Sequence, residues 1–229
     1  MTLFIDRLIN LCKWPMAITS IVCLLPAIHC SARVIALYIE SAHTLYAFIM
    51  GLFAYLVFWL LIFKHRTAGS FLSTLEHECT HAIFALLTLH GVTGMRVTWN
   101  KGGHIKYTGG EGNWLITISP YFVPTISILA VLASQLTSLQ NGPVMQCFIG
   151  ATVGFHLGSS YLELHDAQSD LAKVGYVFSF CFLPTANLLI YSLLLAFIWD
   201  GTAGFNSTWD HFWSLSVEAF QWGLQRILV

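Results

Sequence analysis

The sequence predicts an all-α polytopic membrane protein with about six transmembrane helices and one small glycine-rich β-hairpin. The first observation is composition: 56% of the 229 residues are hydrophobic and 9% are charged, whereas soluble domains carry about 25% charged residues. The second is that apolar runs long enough to cross a bilayer recur along the chain. The third is a single glycine-rich stretch between two such runs. The net charge of −1 gives no indication of nucleic-acid binding, and the composition makes the lipid bilayer the expected surroundings of the chain.

Residues 1–69 are expected to form an N-terminal interfacial helix and two accessory transmembrane helices. Residues 1–15 mix apolar and charged side chains, as in a helix that lies at the membrane surface. Residues 16–39 and 45–63 form the two spans, and we expect the first to be a retained anchor because no clear small-x-small cleavage site follows it. The cations of residues 64–66 mark the cytoplasmic side.

Residues 70–90 are predicted to form a helix that carries a His-Glu-x-x-His motif. His77 and His81 are four residues apart, so they share one helix face and can bind one zinc ion. Zinc lowers the pKa of a bound water towards neutrality, and Glu78 is placed to act as general base on that water. Burying such groups in an apolar run is costly unless they are paired or bind a metal. We therefore interpret the motif as a metal site rather than a polar contact between helices.

The next segment, residues 91–113, is glycine-rich and predicts the hairpin. Residues 95–99 and 104–108 alternate like strands, and a Lys-Gly-Gly turn at residues 101–103 joins them. Residues 114–136 are apolar but contain Pro120 and Pro124, which break or kink a helix and free backbone groups. Such groups are tolerated in a bilayer only against protein or a water-filled cavity. The hairpin, residues 95–108, and the two prolines are thus candidate walls of a substrate cavity.

The C-terminal part of the chain contains two more predicted spans. Residues 144–162 carry Gly150, Gly154 and Gly158, a row with spacing four that predicts close packing against another helix. Residues 174–199 form the last clear span. Residues 200–229 form an amphipathic C-terminal tail expected to lie on the membrane surface, so residues 70–199 constitute the membrane core.

A catalytic zinc site needs a third protein ligand. The candidates after the motif are five acidic or His side chains: His156, Glu163, His165, Asp166 and Asp170. We favour Asp170, with Glu163 as the reserve. Counting spans places Asp170 on the membrane side opposite residue 70. Three explanations stay open: the segment with Pro120 and Pro124 is re-entrant, a helix begins deep in the bilayer, or the third ligand is another residue.

These motifs resemble the site-2 protease family of intramembrane zinc metalloproteases over residues 70–187. The resemblance rests on the His-Glu-x-x-His helix, the glycine-rich hairpin, the broken apolar segment and a distal aspartate. It implies that His77, His81 and Asp170 bind one Zn²⁺ per chain, that Glu78 activates water, and that the hairpin helps to admit an unfolded transmembrane substrate. The expected activity is hydrolysis of a peptide bond of a membrane-embedded or membrane-adjacent protein. Such a multi-pass protein is expected in a cell inner membrane or an internal membrane.

Two other functions stay open from the sequence. The stretch that begins at Glu163 is similar to the distal helix of membrane-bound zinc endopeptidases of the prenyl-protein-processing and heat-shock type, which implies Glu163 as the third ligand. A non-catalytic zinc-binding scaffold or chaperone is the other alternative, and the intact Glu78 argues against it. A metal transporter is disfavoured because the intramembrane acids form one local cluster and do not recur along several helices.

Overall fold

The computed structural model describes residues 1–40, 42–62, 67–99, 102–136, 142–163 and 169–227. The described chain is mostly helical with one two-stranded sheet, which confirms the helical fold class and the hairpin. The elements follow in chain order: α1 Thr2–Leu11, α2 Lys13–Val22, α3 Leu24–Glu40, α4 Ala42–Leu61, α5 Thr67–Leu87, β1 Gly91–Val97, β2 Gly103–Thr108, α6 Trp114–Ile118, α7 Thr125–Ser134, α8 Pro143–Glu163, α9 Ser169–Val174 and α10 Tyr176–Ile227.

These elements form two compact units. The first consists of Met1–Lys13 and Tyr46–Tyr176, and the second of Trp14–Leu45 and Val177–Val229. The first unit contains the motif helix, the hairpin and Asp170. The division of the sequence into residues 1–69, 70–199 and 200–229 stays a prediction.

In the first unit, the hairpin follows the motif helix as predicted. β1 and β2 are antiparallel, with Met95 opposite Ile105 and Val97 opposite Gly103. Gly102 has a φ of 70° at the start of β2, a conformation that glycine adopts without steric cost. Lys101 of the predicted turn lies outside the described residues.

The apolar segment after the hairpin is broken at its prolines, as expected. α6 begins at Asn113, whose side chain accepts a hydrogen bond from the Ile116 backbone N–H and caps the helix. A 3-10 turn, Ser119–Tyr121, follows, and α7 begins directly after Pro124. The two halves are bent by 74°. The helix breaks here because proline cannot donate the backbone hydrogen bond that would continue it. The bend fits either a broken span or a re-entrant loop.

The glycine row on α8 packs closely against α4, as the spacing predicts. A Cβ atom on Gly150 would overlap the carbonyl oxygen of Phe48, and one on Gly154 would lie 2.9 Å from the carbonyl oxygen of Leu52. One on Gly158 would lie 3.3 Å from the Trp59 ring. The absence of side chains lets the two helix backbones approach each other.

The second unit packs α2 and α3 against α10. Its buried core includes Cys23, Ala27, Cys30 and Phe212. Cross-helix hydrogen bonds add to it, such as the one from the Tyr38 hydroxyl to the Leu195 carbonyl at 2.8 Å. α10 has non-helical torsions at Asp200 and Gly201, where the last clear span was predicted to end.

One helix of the described residues, Tyr176–Arg226, is long and apolar enough to cross a membrane. Up to three spans result if the bent pairs α2–α3 and α6–α7 each count as one. α4 contributes a shorter apolar helix, Tyr46–Leu61. Six spans therefore stay a prediction, and the cations of residues 64–66 lie outside the described part of the chain.

The bend within the predicted first span was not anticipated. α2 and α3 meet at 54°, and Pro26 lies in the first turn of α3. The proline ring clashes with the carbonyl group four residues before it in a straight helix. The chain therefore bends between Val22 and Leu24.

Candidate active site

Three metal-binding side chains converge at the middle of α5. His77 and His81 project from successive turns of this helix, and Asp170 reaches them from α9. Asp170 Oδ2 lies 3.3 Å from Nε2 of His77 and 3.3 Å from Nε2 of His81. The three ligand atoms all lie within 4.8 Å of one another. The structure thus brings together the His pair and the distal acid that the sequence analysis favoured.

Neighbouring groups hold both imidazole rings. His81 Nδ1 donates a hydrogen bond to the carbonyl oxygen of Ile116 at 2.7 Å, which turns Nε2 towards Asp170. The His77 ring packs edge-on against His81, with centroids 4.6 Å apart, and against Tyr121, with centroids 5.4 Å apart. A ring nitrogen bound to a fixed acceptor sets the tautomer and orientation that metal binding needs.

The charge state of Asp170 suits a metal ligand. Burial by itself raises the pKa of this carboxyl, but hydrogen bonds with His77 and His81 and one from Lys173 outweigh it, so the pKa lies below its usual range. Lys173 Nζ donates to the second carboxylate oxygen, Oδ1, at 3.1 Å. Asp170 is therefore ionised at neutral pH, and its Oδ2 atom faces the two rings.

The hairpin sets the position of Glu78. This side chain is only 5% exposed and lines the same cavity as the metal-binding cluster. A Cβ atom on Gly103 of β2 would lie 2.7 Å from Glu78 Cγ and 2.9 Å from its Oε1 atom. No side chain can be added at position 103 unless Glu78 moves, so the hairpin backbone packs directly against the Glu78 side chain.

The cavity beside the cluster has a volume of about 870 Å³. Polar groups from α1, the start of α2, the hairpin, the loop after it, α6 and α9 contribute to its walls, and they include Asn10, Lys13, His104, Tyr107, Glu111, Thr117 and Lys173. Burial raises the pKa of Tyr107, and the negative charges of Asp6 and Asp170 raise it further. The phenol is therefore protonated at neutral pH and can donate a hydrogen bond into the cavity.

A second buried polar pair joins α5 to α8. His156 Nδ1 is 3.1 Å from Glu76 Oε1, and both side chains are 3% exposed. His156 was a candidate zinc ligand in the sequence. The structure places it against Glu76 instead, where it joins α8 to the motif helix. No sequence pattern indicates this pairing, because 80 residues separate the two side chains.

The remaining candidates are three possible zinc ligands and the predicted walls of the substrate cavity. Glu163 ends α8, but its side chain, like His165 and Asp166, lies outside the described part of the chain. Gly102, Gly103, His104, Ile105 and Tyr107 of the hairpin line the large cavity. Pro120 lines a much smaller cavity, beside His77 and Tyr121, and α6 supplies the wall of the large one through Trp114, Ile116 and Thr117.

Sequence reasoning missed the contribution of α1 to the site. Asn10 of α1 and Lys13, the first residue of α2, line the cavity, and Asn10 Oδ1 accepts a hydrogen bond from the Trp114 backbone N–H at 3.1 Å. The sequence predicts only an interfacial helix for residues 1–15. The signal that could have found them is the amphipathic pattern itself, because one polar face of a surface helix can equally face a neighbouring protein segment.

Residues 49–208 match the family model described as Peptidase M50B-like. The chain belongs to the peptidase M50B-like family. The matched segment covers more than half of the chain and contains the His-Glu-x-x-His motif and Asp170. Membership confirms the site-2 protease resemblance and makes this M50B-like chain a membrane protein of a metallopeptidase family. No curated protein and no solved structure matches it.

Proposed function

We propose that this M50B-like protein is an intramembrane zinc metalloprotease that hydrolyses a peptide bond of a membrane-embedded or membrane-adjacent protein. The observation that carries the proposal is the spacing of the donor atoms of His77, His81 and Asp170. Bond lengths of about 2.0–2.1 Å in a tetrahedral zinc site place neighbouring donor atoms about 3.3 Å apart. Both distances from Asp170 Oδ2 to the imidazole nitrogens are 3.3 Å.

The hydrogen bond of His81 also supports a bound cation. The Ile116 carbonyl oxygen can only accept, so His81 Nδ1 is the donor to it. This leaves Nε2, which lies 3.3 Å from Asp170 Oδ2, as the ring nitrogen available to bind a metal. Two His nitrogens and one carboxylate oxygen are ligands that catalytic zinc sites use, with a fourth position left open.

Each residue of the site has a separate role in the proposed reaction. Zinc, when bound, supplies a Lewis acid that polarises the scissile carbonyl and lowers the pKa of water. Glu78 takes the proton from the attacking water and delivers it to the leaving amine. Gly103 leaves room for Glu78, and the Ile116 carbonyl keeps His81 oriented. The cavity beside these groups offers space for an unfolded stretch of substrate, since a peptide bond within a helix is shielded by its own side chains.

The alternatives have less support. The prenyl-protein-processing type requires Glu163 as third ligand, whereas Asp170 is the acid beside the His pair among the side chains that the structure describes. A zinc scaffold without catalysis has no use for a buried carboxylate that lines the cavity next to the cluster. Glu78 occupies that place.

The test is a Glu78→Gln variant purified in detergent, with Glu218→Gln as control because that exposed carboxylate is remote from the motif in sequence. We expect one zinc per chain in both variants by elemental analysis. Cleavage of fluorescently labelled casein should fall by about 10²–10⁴-fold in Glu78→Gln, the usual contribution of a general base, and stay unchanged in the control. Wild-type turnover by Glu78→Gln would refute the proposed mechanism, and a wild-type protein without zinc would refute the metal site.

A further inference from the structure

α1 contains a buried acid that the catalytic scheme does not use. Asp6 is 4% exposed, whereas the apolar side chains of the same helix, such as Phe4 and Leu11, are largely exposed. Its Oδ2 atom accepts a hydrogen bond from the Gly112 backbone N–H at 3.2 Å and lies 3.1 Å from His90 Nε2. Its Oδ1 atom accepts from Asn113 Nδ2 at 2.8 Å. Both carboxylate oxygens are thus engaged.

The partners of Asp6 lead to a proposed zinc ligand. Asn113 donates to Asp6 with Nδ2, and with Oδ1 it accepts from the Ile116 backbone N–H at 3.2 Å. The Ile116 carbonyl then accepts the hydrogen bond from His81 Nδ1 at 2.7 Å. Three hydrogen bonds and one residue of α6 therefore connect the N-terminal helix to the His81 ring.

This connection fixes which way Asn113 faces. An amide side chain can rotate to exchange its oxygen and nitrogen, and only one orientation caps α6. The carboxylate of Asp6 can only accept, so it holds the amide nitrogen and leaves the oxygen for the Ile116 N–H. The loop backbone comes close enough for this because position 110 is glycine, where a Cβ atom would overlap Asp6 Oδ2.

We propose that Asp6 is a positioning residue for His81, acting through Asn113 and the Ile116 carbonyl. The helix α1 thereby helps to orient a ligand of the metal site. The inference rests on the proposed zinc site and extends it to a helix that the family match does not include, since that match begins at residue 49. Asp6 does not touch metal or substrate. Its role is to hold the acceptor that orients the His81 ring.

The decisive experiment exchanges the two side chains. In Asp6→Asn, two amide nitrogens compete and Asn113 loses its fixed orientation. In Asn113→Asp, two carboxylates face each other. In the double variant, the amide at position 6 donates to the carboxylate at position 113, and its oxygen takes the place of Oδ2 opposite Gly112 and His90. Aspartate at position 113 still caps α6, so the double variant can restore every hydrogen bond.

The readout is the zinc dissociation constant, measured by competition with a chromogenic chelator on detergent-purified, metal-stripped protein. Loss of a group that orients a metal ligand weakens binding by about 10–100-fold, so we expect at least a tenfold weakening in each single variant. The double variant should bind within about threefold of wild type. Thr2→Val is the control, because the Thr2 hydroxyl donates to the Gly109 carbonyl and also holds α1 to this loop without joining the path to His81.

Each outcome decides the question. Zinc affinity unchanged in Asp6→Asn, or weakened equally in Thr2→Val, would show that α1 has only a structural role. A folded double variant that binds as weakly as the single variants would refute the path through Asn113. If a single variant does not fold, the double variant decides, since its failure to fold or to bind zinc also contradicts the proposal. Wild type that binds no zinc would instead refute the proposed function on which the inference rests.

Discussion

Gly103→Ala should slow catalysis without removing the metal. Gly103 lies in a strand, where alanine has no unfavourable backbone torsion, so the effect comes only from the added methyl group. That methyl would lie 2.7 Å from Glu78 Cγ and 2.9 Å from Thr74 Cγ2, whereas ordinary contacts begin at 3.4 Å. Glu78 must therefore move by about 0.7 Å to restore a normal contact. A displacement of about 1 Å in a catalytic group costs about 10²-fold in rate.

The assay measures casein cleavage and zinc content side by side. We expect Gly103→Ala to cleave about 10²-fold more slowly than wild type while it keeps one zinc per chain. Gly94→Ala is the matched control in the other strand of the hairpin, because a Cβ atom there meets nothing within 4 Å. Equal rates for Gly103→Ala and Gly94→Ala would refute the argument that the hairpin backbone positions Glu78. Loss of zinc together with activity would show that the change damages the metal site instead.

Three further predictions concern the ligand set and the packing. Asp170→Ala should lose zinc by elemental analysis while Glu163→Ala keeps it; the reverse result would support the prenyl-protein-processing type. Gly150→Ala should lower the free energy of unfolding by about 1–3 kcal/mol through overpacking against α4. Gly223→Ala should leave the free energy of unfolding unchanged, because a Cβ atom there meets nothing within 4 Å. Equal melting temperatures of the two variants would contradict the close packing. His156→Leu should cost about 3–5 kcal/mol because it leaves the buried Glu76 without its partner, and the double variant with Glu76→Leu should recover much of that loss.

Local patterns in the sequence predict much of the fold. The spacing of His77 and His81 needs only helix geometry, the hairpin needs only alternation around a glycine turn, and the bend after α6 follows from two prolines. Asp170 came from a short list of acids in an apolar chain, because few charged residues are present. Each of these inferences depends on residues that are close in sequence or on rarity of charge.

The contacts that the sequence could not reveal join distant segments. Asp6 resembles any acid on the polar face of a surface helix, and its three partners come from residues 90, 112 and 113. Glu76 is an acid next to the motif in sequence, and its partner His156 lies on α8. Neither pairing leaves a periodic signal, because a single hydrogen bond between helices constrains one residue on each.

The close approach of α4 and α8 has a consequence for biosynthesis. Phe48 and Gly150 are roughly 100 residues apart, which is about 5–20 s of synthesis at typical elongation rates of about 5–20 residues per second. During that interval the carbonyl oxygens of α4 that pack against the glycine row are not yet covered by α8. The motif helix and the hairpin are synthesised in the same interval. The contact between α4 and α8 therefore forms late, after most of the chain has been synthesised.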